Sequence, residues 1–406
     1  MSFLVAHAAP ADEGKELPLD IQSRKEIARY VLSRGITDAD VTQAGPEAAA
    51  PPAAPEGMLA ARIPTIPFPA DLAPQPAPIS PVPAPSDPLP KADVVVITWT
   101  VDEGDALANV LTPGVSRTRW HPYDRNFDSH YRALIRGGAP SLYVNRLASY
   151  MPATIGQKKV LCMKSELHLN QDGIRTGVGT ATLPVKDLFQ QIIEEAEPDV
   201  VLTIGTSGSV FQHFQLGDVV VTRAAKFRCQ DEFRNEKFNG ETFKSDWTIP
   251  TTHLDAATSL MQTVAPNMAE PPMLPPTINY HYHGAKIHSD ANAPDIKLDG
   301  RDMPEFHPIL TTDYFEYGTS TNHLDAEGAA VEMGDAVLGL AVDGMANPPK
   351  WAVVRNMSDP QINGGLPNEG YDMNPQTMWA VGYYTGYGYY TSVSGAIATW
   401  GIIAGL

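Results

Sequence analysis

A chain of 406 residues has room for a large apolar core and for more than one folding unit. Its formal net charge of -18 argues against a surface built for nucleic acid. Two cysteines, Cys162 and Cys229, are too few for a disulfide framework or a zinc site, and fit a reducing, cytoplasmic compartment.

Met1 to Ala11 holds a short apolar run with no basic residues ahead of it, so it reads as an unstructured end rather than a signal peptide. One helix follows. Ser23 and Glu26 have the capping-box spacing, Ile27, Val31 and Leu32 share a face, and Gly35 is a natural stop. A single helix cannot be a domain, so it docks on a partner, on another subunit or on the body of the chain, or it has no role. Pro46 to Pro90 is rich in proline and alanine, carries few charges and has no period, which predicts an extended tether. The chain therefore divides into an N-terminal segment (1–45), a linker (46–91) and one large domain (92–406).

The domain opens on a buried strand, Asp93 to Thr98, which runs into a loop and a helix start. Glu103 stands at the carboxyl end of that strand, where an acid serves either the helix dipole or a ligand. Residues 117–164 run against the global charge, with Arg117, Arg119, Arg125, Arg132, Arg136, Arg146, Lys158, Lys159 and Lys164 facing Asp124 and Asp128. That suggests an anion site such as a phosphorylated substrate needs, a solvated face, or a salt-bridged subunit contact. A strand at Val160 to Met163, a helix at Leu183 to Ala196 and a strand at Val200 to Ile204 give the alternation of an α/β layered domain.

The chain is organised around Val200 to Arg228. The apolar run of Val200, Leu202 and Ile204 suits a strand buried on both faces. It breaks at Gly205-Thr206-Ser207-Gly208-Ser209, which offers backbone N–H groups and hydroxyls at a strand's carboxyl end. Leu216-Gly217-Asp218 turns the chain into a second strand, Val219 to Val221. His253 to Val264 predicts a helix. Tyr280-His-Tyr-His283 puts two histidines on one strand face, but no further ligand cluster lies nearby, so neither metal nor cofactor is expected. A strand from Ile309 to Phe315 follows, then Glu327 to Asp335 entering a helix to about Val342, then a strand from Trp351 ending in Ser358-Asp359. Asn374 to Leu406 carries no formal charge, yet its Gly, Thr, Ser and Tyr content favours buried helices over a membrane span.

Four of these pieces share an order and spacing: Asp93 to Thr98 ending near Glu103, Thr203 to Gly208 with Leu216 to Val221 after it, Val331-Glu-Met333, and Val353 to Asp359. Together they resemble the purine nucleoside phosphorylase and nucleosidase superfamily, of the phosphorylase-I type, over roughly Ala92 to Leu406. The resemblance implies an α/β fold: three α/β/α layers around a mixed, partly barrel-like sheet. It also implies cleavage of the N-glycosidic bond of a purine nucleoside or nucleotide, and a homo-oligomer. Asp359 matches the family's acid for the departing base. Glu103 matches the glutamate with which hydrolytic members activate water, and Thr206 a hydroxyl beside that water, with the Ser207-Gly208 backbone positioning the reacting groups. Phe315 falls where the family stacks an aromatic on the base, Phe227 near another base-pocket position, and Met333 under the ribose. A phosphate-binding arginine of the phosphorylases is replaced by Thr203, so water is the expected nucleophile. The second acid of the family's Glu-Met-Glu is Gly334 here, which leaves Glu332 or Asp335 to hold the ribose, or a site without turnover. The alternatives are a nucleotide-sensing module of the same fold and a phosphate-dependent phosphorylase. With an adenine nucleotide as substrate, the chemistry would suit a bacterial defence effector.

Overall fold

The computed structural model of the protein describes residues 21–36, 40, 63–169, 173–174, 179–267, 293–303, 307–365 and 374–406. The histidine pair at Tyr280–His283 lies outside them. Beta-branched runs set the centre of a mixed sheet. β2 (Val94–Thr98) pairs in parallel with β5 (Lys158–Ser165) on one side and β6 (Val200–Ser209) on the other. Outward from β5 come β4 (Ala148–Ile155), and on β4 both β1 (Gln75–Pro76) and β3 (His121–Tyr123), all antiparallel. On the other side of β6 runs β13 (Lys350–Asp359), parallel to it and antiparallel to β7 (Val219–Thr222), which in turn holds β10 (Ile296–Leu298). The sheet continues through β12 (Ala330–Glu332), β11 (Ile309–Thr311), β8 (Ala224–Phe227) and β9 (Thr242–Lys244).

Strand periodicity sends alternate residues to two apolar layers. Val94, Val96, Leu202 and Ile204 face α2 (Val101–Leu111), α4 (Leu254–Val264) and α6 (Pro375–Ala404). Val95, Ile97 and Val201 face α3 (Pro184–Ala196) and α5 (Asp335–Val342). The result is the layered α/β arrangement with a mixed sheet that the sequence suggests.

One departure matters for function. The strand from Val200 does not break at Gly205; β6 runs on to Ser209 and changes partners. Val200 to Thr203 pair with β2, whereas Gly208 and Ser209 pair with β12 in the opposite sense. Along the other edge β13 stays bonded throughout, with a bulge between Met357 and Asp359. The sheet therefore forks at Ile204 to Ser207, and one edge of β6 there is left to side-chain partners. The short strand β12 also sits where the sequence suggested only an approach to a helix. The charge-free C-terminus is one 30-residue helix, α6, rather than several. Among the described residues no helix is long and apolar enough to cross a membrane.

Two N-terminal expectations also change. α1 (Ile21–Ser33) already includes Ser23, so the Ser23–Glu26 spacing lies within the helix and does not cap it. Gly35 does end the helical segment, at φ +81°. α1 buries Ile27, Ala28, Val31 and Leu32 against the body of the same chain. Residues 63–91, expected to run as a free tether, are also laid on the body. Ala77 N donates to Pro152 O at 2.8 Å, Leu89 N to Glu195 Oε2 at 2.8 Å, and Trp400 Nε1 to Leu72 O at 2.8 Å. Proline's fixed φ makes such an extended stretch cheap to order along a sheet edge.

Candidate active site

The fork in β6 opens into a narrow cleft that encloses a cavity of about 50 Å³. Glu103, Thr206, Ser207, Gly208, Phe315, Glu332, Met333 and Asp359 all line it. Residues 256 positions apart in the chain, Glu103 and Asp359, thus share one cavity because α2 starts at the tip of β2 and β13 ends beside β6.

Glu103 has two tasks. As the third residue of α2 it completes a capping box with Thr100, its Oε2 accepting from Thr100 N at 2.9 Å. The same oxygen accepts from Thr98 Oγ1 at 2.9 Å and Trp99 N at 3.1 Å. Its Oε1 accepts from the freed edge of β6, from Thr206 N at 2.8 Å and Thr206 Oγ1 at 2.7 Å. Burial pushes this carboxyl up, but the Arg355 charge and the hydrogen bonds from Thr206 and Thr100 win, and it lies below the usual range. Glu103 is an anion at neutral pH.

Asp359 is the opposite case. The bulge in β13 turns it toward Gly208, where an added Cβ would stand 2.9 Å from its Oδ2. Oδ1 accepts from Ser358 Oγ at 3.0 Å, while Oδ2 has no hydrogen-bond partner among the described residues. Burial raises this carboxyl to about 7, opposed by the Ser358 hydrogen bond. One cavity thus holds an ionised carboxylate and a carboxyl that carries its proton up to neutrality, the pairing that separates acid from base roles.

Beside Glu103 lies Arg355, which sequence reasoning passed over. Its Nε donates to Asp335 Oδ2 at 2.7 Å, its Nη2 to Asp335 Oδ1 at 2.6 Å, and its Nη1 to Thr206 O at 3.1 Å. It lies 4.9 Å from the Trp99 ring centroid. Asp335 is therefore fully buried against Arg355 and does not line the cavity. Glu332 does line it, with Oε1 taking Thr311 Oγ1 and Asp335 N, and Oε2 taking Gly334 N. Burial and the neighbouring Asp335 push Glu332 up, against Arg355.

Phe227 does not reach the cavity either. Its ring packs 4.5 Å from Phe238 and 6.1 Å from Phe243 in the core layer beneath α5. Further residues line the site without having been singled out: His168, Trp99, Tyr384, and Val31 and Leu32 of α1. His168 is buried edge-on to Trp99, with ring centroids 6.3 Å apart, and burial lowers it to about 3, so it is neutral.

The basic stretch at 117–164 does not supply an anion site to this cavity. Arg125 pairs with Glu195 at 3.0 Å, Arg132 with Asp128 at 2.7 Å, Arg136 with Glu232, and Arg146 and Lys164 with Glu166 at 2.8 and 2.5 Å. Arg117 is held by Asp105 at 2.9 Å and by Asp40. None of these cations lines the cavity.

No protein-family model matches the chain, and no curated protein sequence does. Solved structures do align with it. Futalosine hydrolase of Helicobacter pylori is 12% identical over 77% of this chain and 97% of its own, at a TM-score of 0.40. A 5'-methylthioadenosine/S-adenosylhomocysteine nucleosidase from Neisseria meningitidis, in complex with methylthio-immucillin-A, is 15% identical over 77% and 99%, also at 0.40. An S-adenosylhomocysteine nucleosidase from Streptococcus pyogenes, in complex with 5-methylthiotubericidin, is 14% identical over 78% and 98%, at 0.39.

Proposed function

We propose that the chain is a nucleosidase that hydrolyses the N-glycosidic bond of a purine nucleoside. The observation that carries this is the sharing of one cavity by an ionised Glu103 and a raised, half-unpartnered Asp359. Breaking the bond builds positive charge on the sugar and negative charge on the base. Asp359, still protonated near pH 7, donates to the departing base, and its free Oδ2 is the atom available for that hydrogen bond. Glu103 is a weak proton acceptor, because a good base titrates near the working pH and Glu103 lies well below it. Its role is to stabilise the cationic sugar and, with Thr206, to hold a water in line; once that water has added, its now strongly acidic proton passes to the Glu103 carboxylate, while the base has left with the proton from Asp359. Phe315 and Met333 supply apolar surface for base and ribose.

Phosphate is a poor candidate for the nucleophile. Thr203 is fully buried within β6, and among the described lining residues the charged cation is Arg355, whose guanidinium is engaged by Asp335 and Thr206. A phosphorylated substrate loses its support for the same reason, and with it the adenine nucleotide and the defence role. A second reading, a module that binds a nucleoside without cleaving it, is favoured by Glu332. Both its oxygens already accept protein donors, which leaves the ribose hydroxyls without the free acid they would use.

The test is a nucleoside and nucleotide panel with chromatographic detection of free base, with and without phosphate. The proposal expects base and free ribose in phosphate-free buffer. A strict need for phosphate, with ribose 1-phosphate as product, would falsify it. Calorimetric binding with no base release over hours would support the sensing module.

A further inference from the structure

Behind the first turn of α2, outside the cavity, lies a second buried cluster of charge. Arg117, Arg146 and Lys164 are each 2–3% exposed. Glu166 accepts from Arg146 Nη2 at 2.8 Å and from Lys164 Nζ at 2.5 Å. Asp105 takes Arg117 Nε at 2.9 Å, but its side chain is 40% exposed and works partly through water. The remaining side is filled by Asp40. Its carboxylate sits on Arg117 Nη1 and its backbone carbonyl on Arg146 Nη1. Among the described residues, removing Asp40 would leave three cations facing one buried carboxylate, Glu166, with the half-exposed Asp105 beside them, a balance that low dielectric makes costly. The space that Asp40 fills is bounded by the guanidinium groups of Arg117 and Arg146, with the Lys164 ammonium on Glu166 behind them, and guanidinium forks are the donors that bind a planar carboxylate or a phosphate.

Asp40 belongs to the same N-terminal segment as α1, and α1 lies over the cavity. Val31 and Leu32 line it. Arg24 reaches Glu316, another lining residue, at 2.5 Å, and Arg34 reaches Asp102 at 2.5 Å. A helix of 13 residues is marginal in water by itself, so α1 holds its shape by docking. The chamber also backs onto the catalytic strand tip. A Cβ on Gly104, next to Glu103, would stand 2.5 Å from Arg117 Cδ and 3.3 Å from Lys164 Cδ.

We propose that the Arg117–Arg146–Lys164 chamber is an oxyanion-binding site, and that Asp40 occupies it as an in-chain ligand that holds α1 over the cavity. A phosphate or carboxylate that displaces Asp40 then loosens the N-terminal segment and opens the cavity. This holds equally for a nucleosidase and for a sensing module, so its test does not use catalysis.

The experiment takes the full chain and its Asp40→Ala variant. Melting temperature is read in inorganic phosphate, in acetate and in chloride at matched ionic strength. Tryptic cleavage after Lys25, Arg29 and Arg34 is timed by mass spectrometry. The variant is expected to be cut roughly tenfold faster than wild type, a latch of about 1.4 kcal/mol. Phosphate or acetate at about ten times its Kd should raise the variant's melting temperature by about 1–2 °C over chloride, and wild type by less. A response to acetate alone marks a carboxylate site, and to phosphate alone a phosphate site; both support the proposal. In wild type, the effective anion should speed the tryptic cuts. Cleavage of the variant at the wild-type rate overturns the latch. An anion response no larger in the variant than in wild type overturns the site. Should Asp40→Ala not fold, Asp40→Asn keeps the side chain's shape and is read in the same way.

Discussion

Asp335 grips Arg355 side-on, Oδ2 to Nε at 2.7 Å and Oδ1 to Nη2 at 2.6 Å, with both groups out of solvent. That pair fixes the charge next to the cavity. It keeps Arg355 beside Glu103, and it places a buried anion near Glu332. Arg355 also pairs with Glu332 at 3.3 Å, so its removal leaves two buried carboxyls without their cation, whereas removal of Asp335 leaves Arg355 a longer, single-point partner. Asp335→Asn and Arg355→Met are each expected to lose about 3–5 kcal/mol of unfolding free energy. The double variant Asp335→Leu/Arg355→Met should lose much less than the sum. Urea unfolding of the three variants checks this, and additive losses would show that the pair is not coupled.

Asp359 gives a pH signature. Its folded pKa, about 7, lies above its unfolded value of 3.8, so between these the folded state binds more proton than the unfolded one. Stability from this group therefore falls as pH rises from about 4 to about 7. Asp359→Asn removes that loss. Its melting temperature relative to wild type should be higher at pH 8 than at pH 5, while Glu332, also raised, keeps its own slope in both proteins. Base release by wild type should fall as pH rises through about 7, and the variant should lack that limb. Thermal scans across pH, read beside rates, decide it; a pH-independent difference would place the Asp359 carboxyl in solvent.

How far the sequence could be read follows from where the partners lie. β2, β6 and β13 were legible because strands buried on both faces are unbroken apolar runs. The fork in β6 was not, since the change from β2 to β12 depends on a strand 120 residues away in the chain and Gly205 looks like an end. Arg355 did leave a signal. An arginine directly after the apolar run Trp351 to Val354, in the middle of a buried strand, must have a buried acid as partner. Which of its readings the basic stretch follows was not legible, because the acids that pair with it inside the chain, Glu166, Glu195 and Glu232, fall outside its window. Phe227 was misplaced by one strand face, and His168 carried no pattern to find it by.

Glu103→Gln separates the cap from the chemistry. Glutamine at the third helical position still supports a capping box with Thr100, so α2 and the fold should persist. The charge facing the sugar is lost; with the amide oxygen kept in the cap, the NH2 group faces Thr206 N, donor against donor, while Thr206 Oγ1 can turn to accept from it. Base release should drop by roughly 10²–10⁴-fold. The melting temperature should move by only a few degrees, with a larger deficit at pH 7 than at pH 3, because a depressed carboxyl stabilises the fold only while it is ionised. Steady-state rates with scanning calorimetry check both parts, and an unchanged rate would remove Glu103 from the reaction.

Gly208 tests whether Asp359 must stand where it does. The residue lies in extended strand paired with β12, and an alanine would set its methyl 2.9 Å from Asp359 Oδ2 and 3.2 Å from Val331 Cγ1. The backbone tolerates the change, but a contact under 3 Å does not, so the carboxyl swings away from the departing base. Gly208→Ala is expected to slow base release by about 10–100-fold, as small misplacements of reacting groups do. Stability should change by no more than about 1–3 kcal/mol, the usual cost of overpacking. In the Asp359→Asn background the same alanine should cost almost nothing further in rate, because it acts through that carboxyl. Rates of the two single variants and the double variant measure the coupling. Full activity in Gly208→Ala would mean that the base leaves without Asp359 at that spot.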